Sequence, residues 1–107
     1  MAGHDFTKFA KPAPHPGEFL REDYLPQYGL TAGALARAMG LRDRSRVEQI
    51  IREKIGISAD TALRLARVFG TTPQYWMGLQ KDYDLSKAAI ANRAAYKAIK
   101  KLEPAAD

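Results

Sequence analysis

The chain has 107 residues, 46% of them hydrophobic, which suits one domain around one modest core and excludes a highly charged disordered polymer. Lys and Arg number 17 against 12 Asp and Glu, and the resulting charge of +5 favours a polyanionic partner. With no cysteine, disulfides, thiolate zinc sites and cysteine nucleophiles are excluded, and with no apolar run near the ~20 residues of a membrane span and no signal-like start, a cytoplasmic protein without membrane attachment is expected.

Residues 1–14 read as a flexible N-terminal arm, because Pro12, Pro14 and Pro16 discourage helix. Phe6 and Phe9 in that arm are candidates for docking on the domain or on a partner. Pro16 suits the first position of a helix, with Glu18 in its first turn; Phe19, Leu20, Tyr24 and Leu25 form the apolar stripe, and Pro26 with Gly29 is expected to end it. Thr31 caps a second helix carrying Leu35, Ala36 and Met39, and Gly40 suits the left-handed position that closes it. A third helix, from about Arg44 to Glu53, turns Val47, Ile50 and Ile51 inward. Asp43 can cap it, or Ser45 with Glu48 can form a capping box. Ile55-Gly56-Ile57 is a short apolar link.

Ser58 caps a fourth helix with Asp60 in its first turn and Ala62, Leu63, Leu65, Ala66 and Phe69 as its stripe, closed by Gly70. Thr72-Pro73 opens a fifth segment in which Tyr75, Trp76, Leu79 and Tyr83 crowd together. Asp84 or Ser86 is expected to start a last helix running to about Leu102, with Ala88, Ala95, Tyr96, Ile99 and Leu102 on one side and Lys97, Lys100 and Lys101 on others, stopped by Pro104. No period-2 run or hairpin dipeptide signals a strand. The expected fold is all-α, with five to six short helices. It divides into the arm at 1–14, a helix-turn-helix DNA-binding domain at 15–85, and a C-terminal helix and tail at 86–107.

The second and third helices, Thr31 to Glu53, carry the functional signal. Once Val47, Ile50 and Ile51 face the core, Arg44, Ser45, Gln49 and Arg52 lie on the other side. An exposed helix offering guanidinium and amide groups fits the DNA major groove, where arginine grips guanine and glutamine grips adenine bidentately. Arg44, Ser45, Arg46 and Gln49 are the candidates for base contacts. Arg52, Lys54 and the start of the second helix near Thr31 suit phosphates. The bland alternative is a solvated face, since Asp43, Glu48 and Glu53 lie among Arg42, Arg44, Arg46 and Arg52. Tyr75, Trp76, Leu79 and Tyr83 are read as core or dimer contacts rather than a ligand box. The last helix has a basic amphipathic look, but its alanine-rich face is too small for firm membrane insertion. Neither His4 nor His15 has a partner at metal-ligand spacing. Ser58 and Asp60 are explained by capping, so no metal, cofactor or enzymatic activity is expected.

Three stretches carry a family resemblance: HPGEFLREDYL from His15, the helix-turn-helix itself, and SADTALRLARVFGTTPQYWMGLQKDYDL from Ser58 to Leu85. Covering about residues 15–85, they resemble the HigA antitoxin family within the lambda-repressor-like (XRE) helix-turn-helix group. The resemblance implies the lambda-repressor-like fold and a homodimer that binds palindromic double-stranded operator DNA and represses its own operon. It also implies a RelE-like (HigB-type) mRNA-cleaving toxin as partner, with the arm and the helix after it as a candidate toxin contact. The gap from Gly40 to Val47 is one residue longer than usual in that group, at Arg42-Asp43, which bears on whether Arg44 or Arg46 reads bases. The rival readings are a stand-alone XRE-type transcriptional repressor without a toxin, and a protein-interaction module that has lost DNA binding.

Overall fold

Nearly every helix begins where the sequence supplies a side-chain acceptor for an otherwise unpaired backbone N–H. The computed structural model describes residues 10–105, and these hold six helices and no strand. Helix α1 spans residues 16–28 as Pro16–Phe19, a π-helical turn Leu20–Tyr24, and Leu25–Tyr28. It is followed by α2 (Ala32–Ala38), α3 (Ser45–Ile51), α4 (Ala59–Phe69), α5 (Pro73–Ala91) and α6 (Arg93–Ala98). Thr31 accepts from Ala34 N, Asp43 from Ser45 N, Ser58 from Thr61 N and Thr72 from Tyr75 N. The acceptor for α1 is His15, whose Nδ1 takes the Gly17 N–H at 2.9 Å, a cap the sequence reading missed.

Several expectations need correction. Pro26 does not end α1. It lacks an N–H and would crowd the carbonyl four residues back, so the preceding turn widens: Leu25 N–H bonds Leu20 O, five residues away, and the helix continues to Gly29. No new helix starts at Asp84 or Ser86. Ser86 is buried inside α5, donating its hydroxyl to Tyr83 O and accepting from Ala13 N, so its polar group is satisfied without a cap. The break falls instead at Asn92, and α6 ends at Ala98 rather than Leu102. Beyond it Ile99 and Leu102 are 72% and 88% exposed and Ala95 is exposed too, while Ala88 and Tyr96 of the expected stripe are half-buried. Phe6 and Phe9 lie outside the described residues.

The core draws on the first five helices: Leu20 from α1, Leu35 and Ala36 from α2, Val47 and Ile50 from α3, Ala62, Leu65 and Phe69 from α4, and Trp76 from α5. Trp76 is fully buried, its indole N–H satisfied by Thr71 Oγ1 at 2.7 Å, with the rings of Tyr24, Phe69 and Tyr75 around it. Burial among these rings, and then the hydrogen bond to Tyr75, push the Tyr24 phenol up to about 12. Leu63 departs from the expected stripe of α4 and is 57% exposed, because Ala62, Leu65, Ala66 and Phe69 already fill the inward arc. Among the described residues, no helix is long and apolar enough to cross a membrane.

Two of the contacts that fix α1 to its neighbours are directly measurable. At Gly17 the backbone lies against the carbonyl of Ile50 so closely that a Cβ would overlap Ile50 O. Helix propensity alone says Gly17→Ala should stabilise by roughly 0.5–1 kcal/mol. The contact reverses the sign, and a cost of about 1–3 kcal/mol is expected in a denaturant melt. An unchanged midpoint would mean that α1 does not seat on α3.

His15, buried beneath an edge-on contact with Tyr83, must be neutral for Nδ1 to accept a hydrogen bond. Burial lowers its pKa below the ordinary 6.5, with Glu53 and Asp84 opposing and Lys87 adding to the shift. The unfolded chain therefore takes up this proton first, so stability is full above about pH 6.5 and falls as the pH drops below it. Unfolding at about pH 7.5 and about pH 5.5 should show a larger loss for the native chain than for His15→Asn, which caps without titrating. Equal losses would remove His15 as the linked group.

Candidate nucleic-acid interface

The candidate interface is built on α3. Val47 and Ile50 are each 1% exposed and hold the helix on the core, while Ile51 is only half-buried at the edge. Burying a side chain of this size contributes about 1.5–3 kcal/mol, so these two outweigh any surface term on the helix. With that face fixed, Arg44, Ser45 and Gln49 stand exposed on the other, as the spacing predicts.

The backbone entering α3 is set by Gly40, whose φ of +76° is left-handed, and by Leu41 N–H reaching back to Ala36 O. Asp43 then receives Ser45 N–H at 2.9 Å, so Asp43 rather than a Ser45–Glu48 box starts the helix, and Ser45 is its first residue. The Ser45 hydroxyl accepts from Gln49 Nε2 at 3.2 Å, which orients the amide one turn above. Arg44 Nε sits 3.1 Å from Glu48 Oε2, but its side chain is 69% exposed. A pair that open contributes about 0.3–0.5 kcal/mol and is readily exchanged for a stronger acceptor.

Arg46 is placed differently from its neighbours. Its guanidinium donates to Asp60 Oδ2 at 2.7 Å and to Thr61 Oγ1 at 3.4 Å, both at the start of α4. Sequence reading set it beside Arg44 as a base contact; the structure instead engages it with Asp60 across 14 residues. Arg64 Nε shares the same carboxylate oxygen at 2.8 Å, and Arg64 Nη1 donates to Met39 O at the end of α2. Arg46, and then Arg64, hold the Asp60 carboxyl below its ordinary value.

Beside the turn lies an open hollow of about 350 Å³ lined by Gly33, Arg37, Leu41, Arg42, Asp43 and Arg44, among others. It gathers three guanidinium side chains near the capped start of α2. Arg37 is the member that sequence reading missed. Its signal was position: it lies on the exposed side of α2, three residues ahead of the turn glycine. Thr31 is exposed, with its hydroxyl engaged as the α2 cap.

At the other end of α3, Arg21 of α1 donates to the Ile51 carbonyl at 2.6 Å and meets Glu53 Oε2 at 3.2 Å. Glu53 has a left-handed φ of +61°, unusual without glycine, and Lys54 N–H closes the turn onto Gln49 O at 2.8 Å. The helix therefore stops at Ile51, two residues before the expected Glu53, leaving Arg52 as C-cap and Arg52 and Lys54 exposed beyond it. Of the residues expected at the core or a dimer contact, Trp76 and Leu79 pack on this chain's core. Tyr75 is 38% exposed, and Tyr83 rests against His15.

This is the geometry of a helix-turn-helix: two short helices at a glycine turn, the second buttressed from behind. Residues 20–76 match the helix-turn-helix family. The chain is similar to virulence-associated protein I of Dichelobacter nodosus, 54% identical over 77 residues, 72% of this chain and 70% of that protein. It is similar to antitoxin HigA-1 of Vibrio cholerae, 38% identical over 69 residues, 64% of each chain. Among solved structures, Pseudomonas aeruginosa antitoxin HigA with the higBA promoter superposes with a TM-score of 0.78 at 42% identity, over 85% of this chain and 99% of that one. The chain belongs to the helix-turn-helix family and, within it, to the HigA antitoxins.

Proposed function

We propose that the chain is a DNA-binding antitoxin that, as a homodimer, binds a palindromic operator, represses its own operon and neutralises a RelE-like toxin. The observation that carries the DNA reading is the division of α3 into a buried Val47–Ile50 face and an exposed Arg44, Ser45 and Gln49 face. The relative solved with a promoter supports the same partner, and the relatives named as antitoxins support the toxin. Residues 15–85 are the DNA-binding unit in this proposal. Arg44, Ser45 and Gln49 approach base edges, because a recognition helix enters the major groove by its N-terminal end. Arg37, Arg42, Arg52, Lys54 and the α2 start at Thr31 take phosphates, which position the helix without specifying sequence. Two copies related by a two-fold axis would present α3 at about 34–36 Å spacing, one DNA turn.

The two classes of residue should separate in titrations against a duplex from the chain's own promoter and a shuffled duplex. Arg44→Ala or Gln49→Ala should cost roughly 1–3 kcal/mol on the promoter duplex and much less on the shuffled one. Arg52→Ala or Lys54→Ala should weaken both alike and reduce the salt slope by about one. If Arg44→Ala and Gln49→Ala leave promoter affinity and preference intact, α3 is not the reading element. Failure of the adjacent gene's product to co-purify with the chain would remove the antitoxin half alone.

A further inference from the structure

We infer that Asp60 is a specificity-determining residue: it holds Arg46 back from DNA and so limits sequence-independent attraction at the reading end of α3. This rests on the DNA-binding reading above and names a residue outside the helix-turn-helix that tunes it. Arg46 follows Ser45 directly and precedes Gln49 by three residues, so a freely moving guanidinium there would reach phosphates beside the base-reading groups. Instead it lies 2.7 Å from Asp60 Oδ2 with a second contact to Thr61 Oγ1. Thr61 is 1% exposed, and its hydroxyl also receives Ser58 Oγ–H, so the docking point for Arg46 is fixed by the cap of α4. Asp60 is itself held from the other side by Arg64, whose second guanidinium nitrogen is anchored on Met39 O. The carboxylate thus sits in a frame joining the end of α2 to the starts of α3 and α4.

Such an exposed ion pair adds little to stability. Its consequence is electrostatic placement. A mobile arginine near the backbone binds any sequence and adds about 0.9 to the salt slope per phosphate neutralised, whereas specificity comes only from base edges. Neutralising Arg46 locally lets Arg44 and Gln49, the groups able to read bases, decide the preference. Arg44 carries a weaker version of the same arrangement with Glu48, at 3.1 Å and much more exposed. The two acids therefore grade the cations at the entrance of α3 from held to available.

The test measures affinity and salt slope for the full chain on a fluorescent promoter duplex and a shuffled duplex of equal length. Asp60→Asn should raise affinity for the shuffled duplex about three- to tenfold and steepen its salt slope by about one, with a smaller gain on the promoter duplex, so the preference falls. Asp60→Glu, which keeps the charge, should stay near the native values. Adding Arg46→Ala to Asp60→Asn should return both slope and affinity to the native level. Arg46→Ala alone should leave the shuffled duplex within about twofold, because that cation is already withheld; this variant decides the matter even if Asp60→Asn misfolds. The proposal is overturned if Asp60→Asn folds but leaves shuffled affinity and slope unchanged. It is also overturned if Arg46→Ala alone flattens the slope by about one, which would make Arg46 a phosphate contact, or abolishes the promoter preference, which would make it a base reader. A native chain that shows no preference at all defeats the DNA-reading proposal itself, and the two failures are told apart in the same titration.

Discussion

Helix α3 is seven residues long and cannot hold itself. An isolated helix of less than about 12–15 residues is marginal in water, because nucleation fixes several dihedrals for one hydrogen bond. Everything around α3 answers that constraint. Val47 and Ile50 anchor it in the core, Asp43 takes the first amide, and Arg21 takes the Ile51 carbonyl at the far end. The absence of a side chain at Gly17 lets α1 lie on the Ile50 carbonyl. The helix is short, yet its axis and rotation are defined by contacts at both ends and along one face. In the proposed function, that definition lets Arg44 and Gln49 meet base edges from a fixed frame.

The charges follow a second logic. Several arginines are spent inside the molecule: Arg21 on Glu22, Glu53 and the Ile51 carbonyl, Arg46 and Arg64 on Asp60. Arg42, Arg52 and Lys54, exposed around the turn and beyond α3, form no ion pair with any described residue. The excess of +5 is thus not spread evenly over the surface. A net charge count cannot distinguish an arginine that closes a helix end from one left open at the surface; the geometry can.

Local rules in the sequence read most of this fold. Thr31, Ser58 and Thr72 cap where a β-hydroxyl precedes an apolar period, Gly40 is left-handed, and the 3.6-residue spacing sorts Val47 and Ile50 inward from Ser45 and Gln49 outward. What was illegible depended on partners far along the chain or on an uncommon backbone. Arg46 looked free because Asp60 is 14 residues away. Ser86 looked like a cap because its acceptor role toward Ala13, 73 residues back, has no local signal. Pro26 looked like a stop because a π-helical turn that absorbs it is rare. His15 was weighed only as a metal ligand, since histidine is not among the common caps. Glu53 shows the same limit: a left-handed glutamate is legible only once Arg21 is seen beside it.

The most direct measurement is an amide chemical-shift titration of the labelled full chain with the duplex from its own promoter. A recognition helix held as described predicts the largest perturbations at Arg44, Ser45 and Gln49. Smaller ones should fall at the α2 start near Thr31 and at Arg52 and Lys54, with the buried positions Leu65 and Trp76 little changed. Perturbations concentrated in α5 and α6, with α3 silent at saturating DNA, would contradict it.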